Sequence, residues 1–266
     1  MRLGRIAHPE GICFAIIDED ANGELVAKEI SGTPFTPPEP TGREFQLDQV
    51  RLLAPTLPTK VVALGRNYAD HVAEVFKDSA EHLPPTIFVK PSTAVVGPGA
   101  EVKIPEFATR VEFEGELAVV ISKVSKNIDP QNWREHVLGY TICNDVSSRD
   151  LQFKDGQWAR AKGIDTFCPL GPWIETDLDV LDLDNSQINA YLTHDGERKQ
   201  KQDSNTNQMI VKMGDILAEI SASMTLLPGD VVTTGSPAGT EEMVPGDTIE
   251  IEIPGVGTLT NPIARA

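Results

Sequence analysis

RVEFEGELAVVI, residues 110–121, is the stretch on which the reading of this chain turns. In a strand, successive side chains alternate between faces, so Glu112, Glu114 and Glu116 would stack on one side about 6–7 Å apart. The run that follows, Leu117 to Ile121, is apolar at every position, which fits a strand covered on both faces. At least one end of the carboxylate row is therefore carried toward the interior. Carboxylates in that position need a cation, whereas on a solvated strand face they would not.

Outward from this stretch the pattern stays β-rich. TIFVK, VLGYTICNDV, SQINAYLTH, DVVTTG and DTIEIEIPGVGTLT all have strand character. LLPGDVV and MVPGDTI repeat one turn, with Pro and Gly in the two central places of a type II turn. HDGE, around His194, reads as a hairpin turn. Helices are few. Asp129-Pro130 is expected to start one running to about Leu138, stopped by Gly139. Another is expected over roughly 206–223, where Met209, Met213, Ile216, Leu217 and Ile220 form an apolar stripe taken as core. Residues 1–56 hold CFAIID and ELVAKEI, then the proline-rich SGTPFTPPEPTG, which suits neither a helix nor an inner strand. The chain is thus read as mainly β (α+β), a mixed β sandwich or roll with peripheral helices. A small N-terminal β module spans 1–56 and a main domain 57–266.

Composition limits the function. Forty acidic against 23 basic side chains leave a net charge of −17, which repels phosphate backbones, so nucleic acid is not expected as a partner. An anionic substrate would need a cation in the site to reverse the local field. Cys13, Cys143 and Cys168 have no CxxC spacing and read as reduced thiols. No long apolar run and no leader-like N-terminus points to a membrane or to export, so a cytoplasmic location is the expectation.

Asp145 ends the strand-like GYTICND and opens a loop. Oxygen donors from this acid and the glutamate row would suit Mg²⁺ or Mn²⁺, leaving coordination places for water and a chelating substrate. Neither segment contains histidine, which disfavours zinc, and no EF-hand loop is present. In GRNYADHVAEVF, His71 and Glu74 are three apart and share a face if the turn is helical. A carboxylate beside an imidazole fixes its tautomer and raises its basicity, as a base for water requires, although such a pair is often only a surface ion pair. The following KDSAEHLPPT has the polarity of a flap. Arg149, Gln152 and Lys162 add two cations and an amide, with Arg160 equally available by spacing. No dinucleotide or P-loop motif occurs, Cys168 reads as a packed thiol, and His8, His82, His136 and His194 show no partner pattern.

GRNYADHVAE, FVKPSTAVVGPG, VEFEGELAVVI, YTICNDVSSRDLQ, KGIDTFCPLGPW, ILAEISASMTLLPGDVVTTGSPAG and VPGDTIEIEIPGVGTLTN follow in order the pattern of the fumarylacetoacetate hydrolase family. The resemblance covers about 57–264 and implies the family's mixed β-sandwich roll, usually as a homodimer. It implies Mg²⁺ or Mn²⁺ held by Glu114, Glu116 and Asp145, with Glu112 outside the ligand set. It further implies a water-activating His71–Glu74 dyad on a lid, Lys162 at the developing oxyanion, and Arg149, Gln152 and Thr234 on a small-molecule 2-oxo acid. Gly-Ser-Pro stands where Gly-Thr-Pro is commoner, leaving Thr234 in place. The expected activity is metal-dependent cleavage of a 2-oxo acid through a pyruvate enolate. Decarboxylation of oxaloacetate ranks first because the chain resembles the compact bacterial members. The alternatives are acylpyruvate hydrolysis, isomerisation of unsaturated oxo-diacids of the 2-hydroxyhepta-2,4-diene-1,7-dioate type from aromatic catabolism, and, in a different class, a noncatalytic metal-binding scaffold.

Overall fold

The structure, a computed structural model, describes residues 1–76 and 85–266. Gly115–Ile121 is a strand buried at every residue. Leu117, Val119 and Ile121 enter one apolar cluster while Ala118 and Val120 enter another, so the alternation of a strand serves two cores at once. Val137–Asn144 and Val231–Thr233 pair with it antiparallel on either side. Beyond Val137–Asn144 the sheet continues through Cys168–Glu175, Arg2–His8, Gly11–Glu19, Leu25–Ser31 and Glu39–Gln46, and beyond Val231–Thr233 through Lys60–Gly65 and Thr86–Pro91. Together with Arg51–Leu53 and Val95–Val96 this makes a twelve-stranded mixed sheet.

A second sheet of five strands, in the order Glu197–Asn205, Gln187–His194, Thr248–Ile253, Gly257–Arg265 and Val102–Ile104, supplies the facing layer. Ile188, Ala190, Leu192, Ile249, Ile251 and Ile253 join Leu117, Val119, Tyr140 and Ile142 in the larger core. Met213, Ile216, Leu217 and Ile220 close it from the helix Met213–Ser223. The chain is therefore mainly β with few helices, as the strand pattern predicts. Leu3 pairs with Ile174 and the Met1 amine lies 2.8 Å from Glu175, so the main sheet runs unbroken across residue 56. The proline-rich stretch leads into the exposed edge strand Glu39–Gln46, where Pro40 costs no inner ladder bond.

Two helix expectations need correction. Only a 3₁₀ turn, Trp133–His136, forms between Asp129 and Leu138, and the β-branched Val137 already begins a strand. The helix expected from 206 begins at Met213, after a 3₁₀ turn at Thr206–Gln208. In the interval, Asn67 accepts the Val211 amide through its side chain (2.7 Å) and the Ile210 amide through its carbonyl (2.8 Å), which takes these donors from a helix. Met209 is still core, but through a β-bridge to Tyr68. Both Pro-Gly turns form as read: the Asp230 and Asp247 amides donate to the Leu227 and Val244 carbonyls, with Gly229 and Gly246 at φ 87° and 104°. Asp195 and Gly196, both at positive φ, make the two-residue hairpin after His194. Among the described residues no helix is long and apolar enough to cross a membrane.

Candidate metal centre and active site

The carboxylate row is not one ladder. Val111–Glu112 is a short strand paired with Ser147–Ser148, the chain leaves strand geometry at Phe113 and Glu114, and regular pairing resumes at Gly115. Glu112 is thereby turned to Arg149 (2.7 Å), Arg110 (2.6 Å) and the Thr240 hydroxyl (3.1 Å). Glu114 and Glu116 instead converge with Asp145, each offering an oxygen within 4.8 Å of the others, all three buried. The break has a partner: the Glu114 amide donates to the Asn144 side chain (3.0 Å), and the Asp145 amide donates to the Glu114 carbonyl (2.9 Å). Gly115 lies between the two glutamates because Gln202 presses against it. The Gly115 amide donates to the Gln202 oxygen at 3.0 Å, while the Gln202 amide nitrogen donates to Ser236 and to the Pro237 carbonyl.

Three cations serve these acids. Lys162 bridges Glu114 (2.7 Å) and Asp145 (2.6 Å) from the short helix Ala159–Lys162. Arg149, buried at the start of the helix Arg149–Asp155, pairs with Glu112 and with Glu114 (2.6 Å), and donates to Gln152 (2.8 Å). Lys90, fully buried, donates to Asp145 (2.5 Å) and to the Val146 carbonyl (3.2 Å). Burial works to hold the Glu114 carboxyl up, but the charges of Lys162 and Arg149 outweigh it and keep it well below the usual carboxylate range. Glu116 goes the other way. Burial, then the charges of Asp145 and Glu114, push its carboxyl well above that range, and its Oε2 accepts the Gly235 amide at 2.9 Å. Three hard oxygen donors with one carboxylate left electrostatically unsatisfied fit a divalent cation such as Mg²⁺ or Mn²⁺, and contain no thiolate or imidazole that would select zinc.

His71 reaches the same place from the helix Ala69–Phe76. Its Nε2 is 3.7 Å from Glu114 and its Nδ1 is 3.4 Å from Glu74, whose carboxylate accepts the Gly239 amide at 3.1 Å. Burial lowers the imidazole pKa, yet the bonds to Glu114 and Glu74 more than offset it, and the net direction is upward. The flap expected after the helix falls largely on 77–84, outside the described residues, as does His82.

His71, Glu114, Glu116, Arg149, Gln152 and Lys162 all line one narrow cleft. Thr234 does not line it. Its hydroxyl donates to the Leu117 carbonyl at 3.0 Å, and Ser236 occupies the wall instead. Arg160 pairs with exposed Asp155. Cys168 packs against Cys143, with 3.6 Å between buried sulfurs. His194 is held by Asp247 (2.6 Å) and His136 by Ser125 (2.8 Å). The sequence reading missed Lys90 and Gln202, and also Arg66 and Trp158, which line the same cleft. Lys90 alone carried a signal, a lysine inside the apolar TIFVK.

A family model described as "Fumarylacetoacetate (FAA) hydrolase C-terminal" matches residues 60–264, and one described as "Rv2993c-like, N-terminal" matches 1–55. Protein Rv2993c of Mycobacterium tuberculosis (strain ATCC 25618 / H37Rv) is 49% identical over 100% of this chain and 98% of its own. Oxaloacetate tautomerase FAHD2A, mitochondrial, of Homo sapiens is 39% identical over 81% of this chain and 70% of its own. Among solved structures, Cg1458 with inhibitor is 68% identical with a TM-score of 0.98, covering 100% of both chains. Maleylpyruvate hydrolase from Sphingobium sp. SYK-6, in complex with manganese(II) and pyruvate, is 27% identical with a TM-score of 0.79, again over 100% of both.

Proposed function

Because the chain belongs to the fumarylacetoacetate hydrolase family, we propose that it is an enzyme acting on 2-oxo acids with Mg²⁺ or Mn²⁺ held by Glu114, Glu116 and Asp145, and that it decarboxylates oxaloacetate to pyruvate and CO₂. The observation that carries this reading is the convergence of those three buried acids, two of which, Glu114 and Glu116, line a cleft shared with Lys162 and His71. When bound, the cation supplies Lewis-acid withdrawal of electrons from the oxo acid's carboxylate and keto oxygens. Lys162, between Glu114 and Asp145, places a compact positive charge beside the oxygen that gains electrons as CO₂ leaves. Arg149, committed to Glu112 and Glu114, serves chiefly to hold the acids in place.

The His71–Glu74 pair favours a second reading, in which protons are moved at the same site. With Glu74 accepting from Nδ1, Nε2 would be the atom that takes a proton from water or from carbon once Glu114, 3.7 Å away, no longer accepts from it. That would serve hydrolysis of an acylpyruvate or keto–enol exchange of oxaloacetate, in line with the names of the hydrolase and tautomerase relatives. The test is to assay wild type and His71→Ala with Mn²⁺ against oxaloacetate and acetylpyruvate, subtracting the rates given by free Mn²⁺. We expect His71→Ala to keep oxaloacetate decarboxylation within about threefold and to lose about 10²- to 10⁴-fold in acetylpyruvate hydrolysis. Keto–enol exchange by wild type without pyruvate formation would replace decarboxylation by tautomerisation. No metal-dependent turnover of any oxo acid would leave the scaffold reading.

A further inference from the structure

A lysine on an edge strand ordinarily runs out to water, but Lys90, in the edge strand Thr86–Pro91, turns inward between exposed Val89 and Pro91 and is 0% exposed. Its ammonium donates to Asp145 Oδ1 and to the Val146 carbonyl. The other two acids each have one oxygen fixed in the same way. Arg149 pairs with Glu114 Oε1 at 2.6 Å, and the Gly235 amide donates to Glu116 Oε2 at 2.9 Å. Of the oxygens that remain, Glu114 Oε2 and Asp145 Oδ2 are bridged by a single ammonium, that of Lys162. The two lysines differ in what they can do when a dication arrives. Lys162 lines the cleft and has the centres of the Phe88 and Trp158 rings 5.1 and 5.8 Å from its nitrogen, so it can turn from the acids toward a ring face. Lys90 has no contact with solvent, and it gives up Asp145 only by leaving a charge buried and unpaired.

We propose that Lys90 is a specificity-determining residue for the metal: by keeping Asp145 Oδ1 occupied, it confines this acid to one ligand oxygen and sets the site against Ca²⁺. This rests on the reading of Glu114, Glu116 and Asp145 as the metal ligands. Ca²⁺ spreads over about six to eight oxygens and often takes both oxygens of a carboxylate, whereas Mg²⁺ demands an octahedral array and keeps several waters. With one oxygen from each acid, the protein leaves the rest of an octahedron to water and the oxo acid, which suits the smaller ion. A carboxylate free at both oxygens can widen its grip around a larger ion, and an ammonium fixed on one of them prevents this. Charge alone does not choose, because Lys90 repels either dication equally.

The test is displacement of bound Mn²⁺ by Ca²⁺, followed through the electron paramagnetic resonance signal of free Mn²⁺, in wild type and in Lys90→Met, which keeps much of the side chain's length without its donor. Wild type is expected to hold Mn²⁺ against about a 100-fold excess of Ca²⁺, and Lys90→Met to release it at an excess about tenfold lower. A lysine that served stability alone would shift the affinity for both ions together and leave their ratio in place. An unchanged ratio in the variant, or displacement from wild type by equimolar Ca²⁺, would overturn the proposal. Infrared difference spectra of Ca²⁺-loaded against metal-free wild type, with ¹³C-carboxyl aspartate, give a decision that needs no variant. The antisymmetric and symmetric stretches of Asp145 should stand as far apart as single-oxygen binding requires, and the narrow separation of two-oxygen binding would refute the role of Lys90. Mn²⁺ bound but freely exchanged for Ca²⁺ would spare the reading of the acids as ligands, and no binding of Mn²⁺ would remove both.

Discussion

Glu116 bears the least compensated charge of the cluster, since Lys162 and Arg149 serve Glu114 while Lys90 and Lys162 serve Asp145. Function, rather than stability, accounts for a buried acid whose pKa its neighbours raise. In chelator-treated protein, Glu116→Gln should therefore raise Tm by about 2–4 °C, the size of shift expected for roughly 1 kcal/mol in a chain of this length. The same variant should lose the rise in Tm that Mn²⁺ gives wild type. Differential scanning calorimetry with and without Mn²⁺ measures both, and a lower metal-free Tm with the Mn²⁺ shift intact would contradict the account. The sharing of one side by Glu114 and Glu116 was legible in their period-two spacing, and Asp145 in its place at a strand end. Gln202 and Arg66 were not, because each reaches its place from a strand or strand end whose neighbours only the tertiary fold decides, and Lys90 showed only as a lysine in an apolar run.

At the scale of elements, the interruption at Phe113 and Glu114 separates a structural glutamate from two that converge, and Gly115 is what lets Gln202 close behind them. A Cβ at this position would stand 2.8 Å from the Gln202 oxygen and 3.0 Å from Ile251, and Gln202 is anchored at its other end on Ser236 and Pro237. Gly115→Ala should cost about 1–3 kcal/mol in urea unfolding. A variant as stable as wild type would show that Gln202 yields. The edge pair Leu25–Ser31 and Glu39–Gln46 is clamped by Glu29, which accepts from Arg43 and Thr41. Those bonds, against some burial, hold the Glu29 carboxyl down at about 2. A lowered carboxyl stabilises the fold above its unfolded pKa of about 4.3 and ceases to do so as pH falls through the folded value. The Tm difference between wild type and Glu29→Gln should thus be constant above about pH 5 and shrink toward pH 2. A difference that grew on acidification would refute the clamp. Strands were legible here because β-branched runs and Pro-Gly turns act locally. The helix expected after Asp129 was not, since its cap and proline serve only a 3₁₀ turn before Val137 joins the sheet.

The whole molecule places its chemistry where the twelve-stranded sheet meets the loops after Val137–Asn144 and Val231–Thr233, with the five-stranded sheet bracing the acids through Gln202. The apolar run Leu117–Ile121 lies between two cores, and a strand packed on both faces holds the carboxylates beside it rigidly enough that they could share one ion. The most direct test is the electron paramagnetic resonance signal of free Mn²⁺ during titration of chelator-stripped protein. One Mn²⁺ should disappear from solution per chain, and Asp145→Asn should weaken that binding by about 100-fold or more. A free-ion signal that rises in proportion to added Mn²⁺ from the first addition, in wild type as in the variant, would contradict the account.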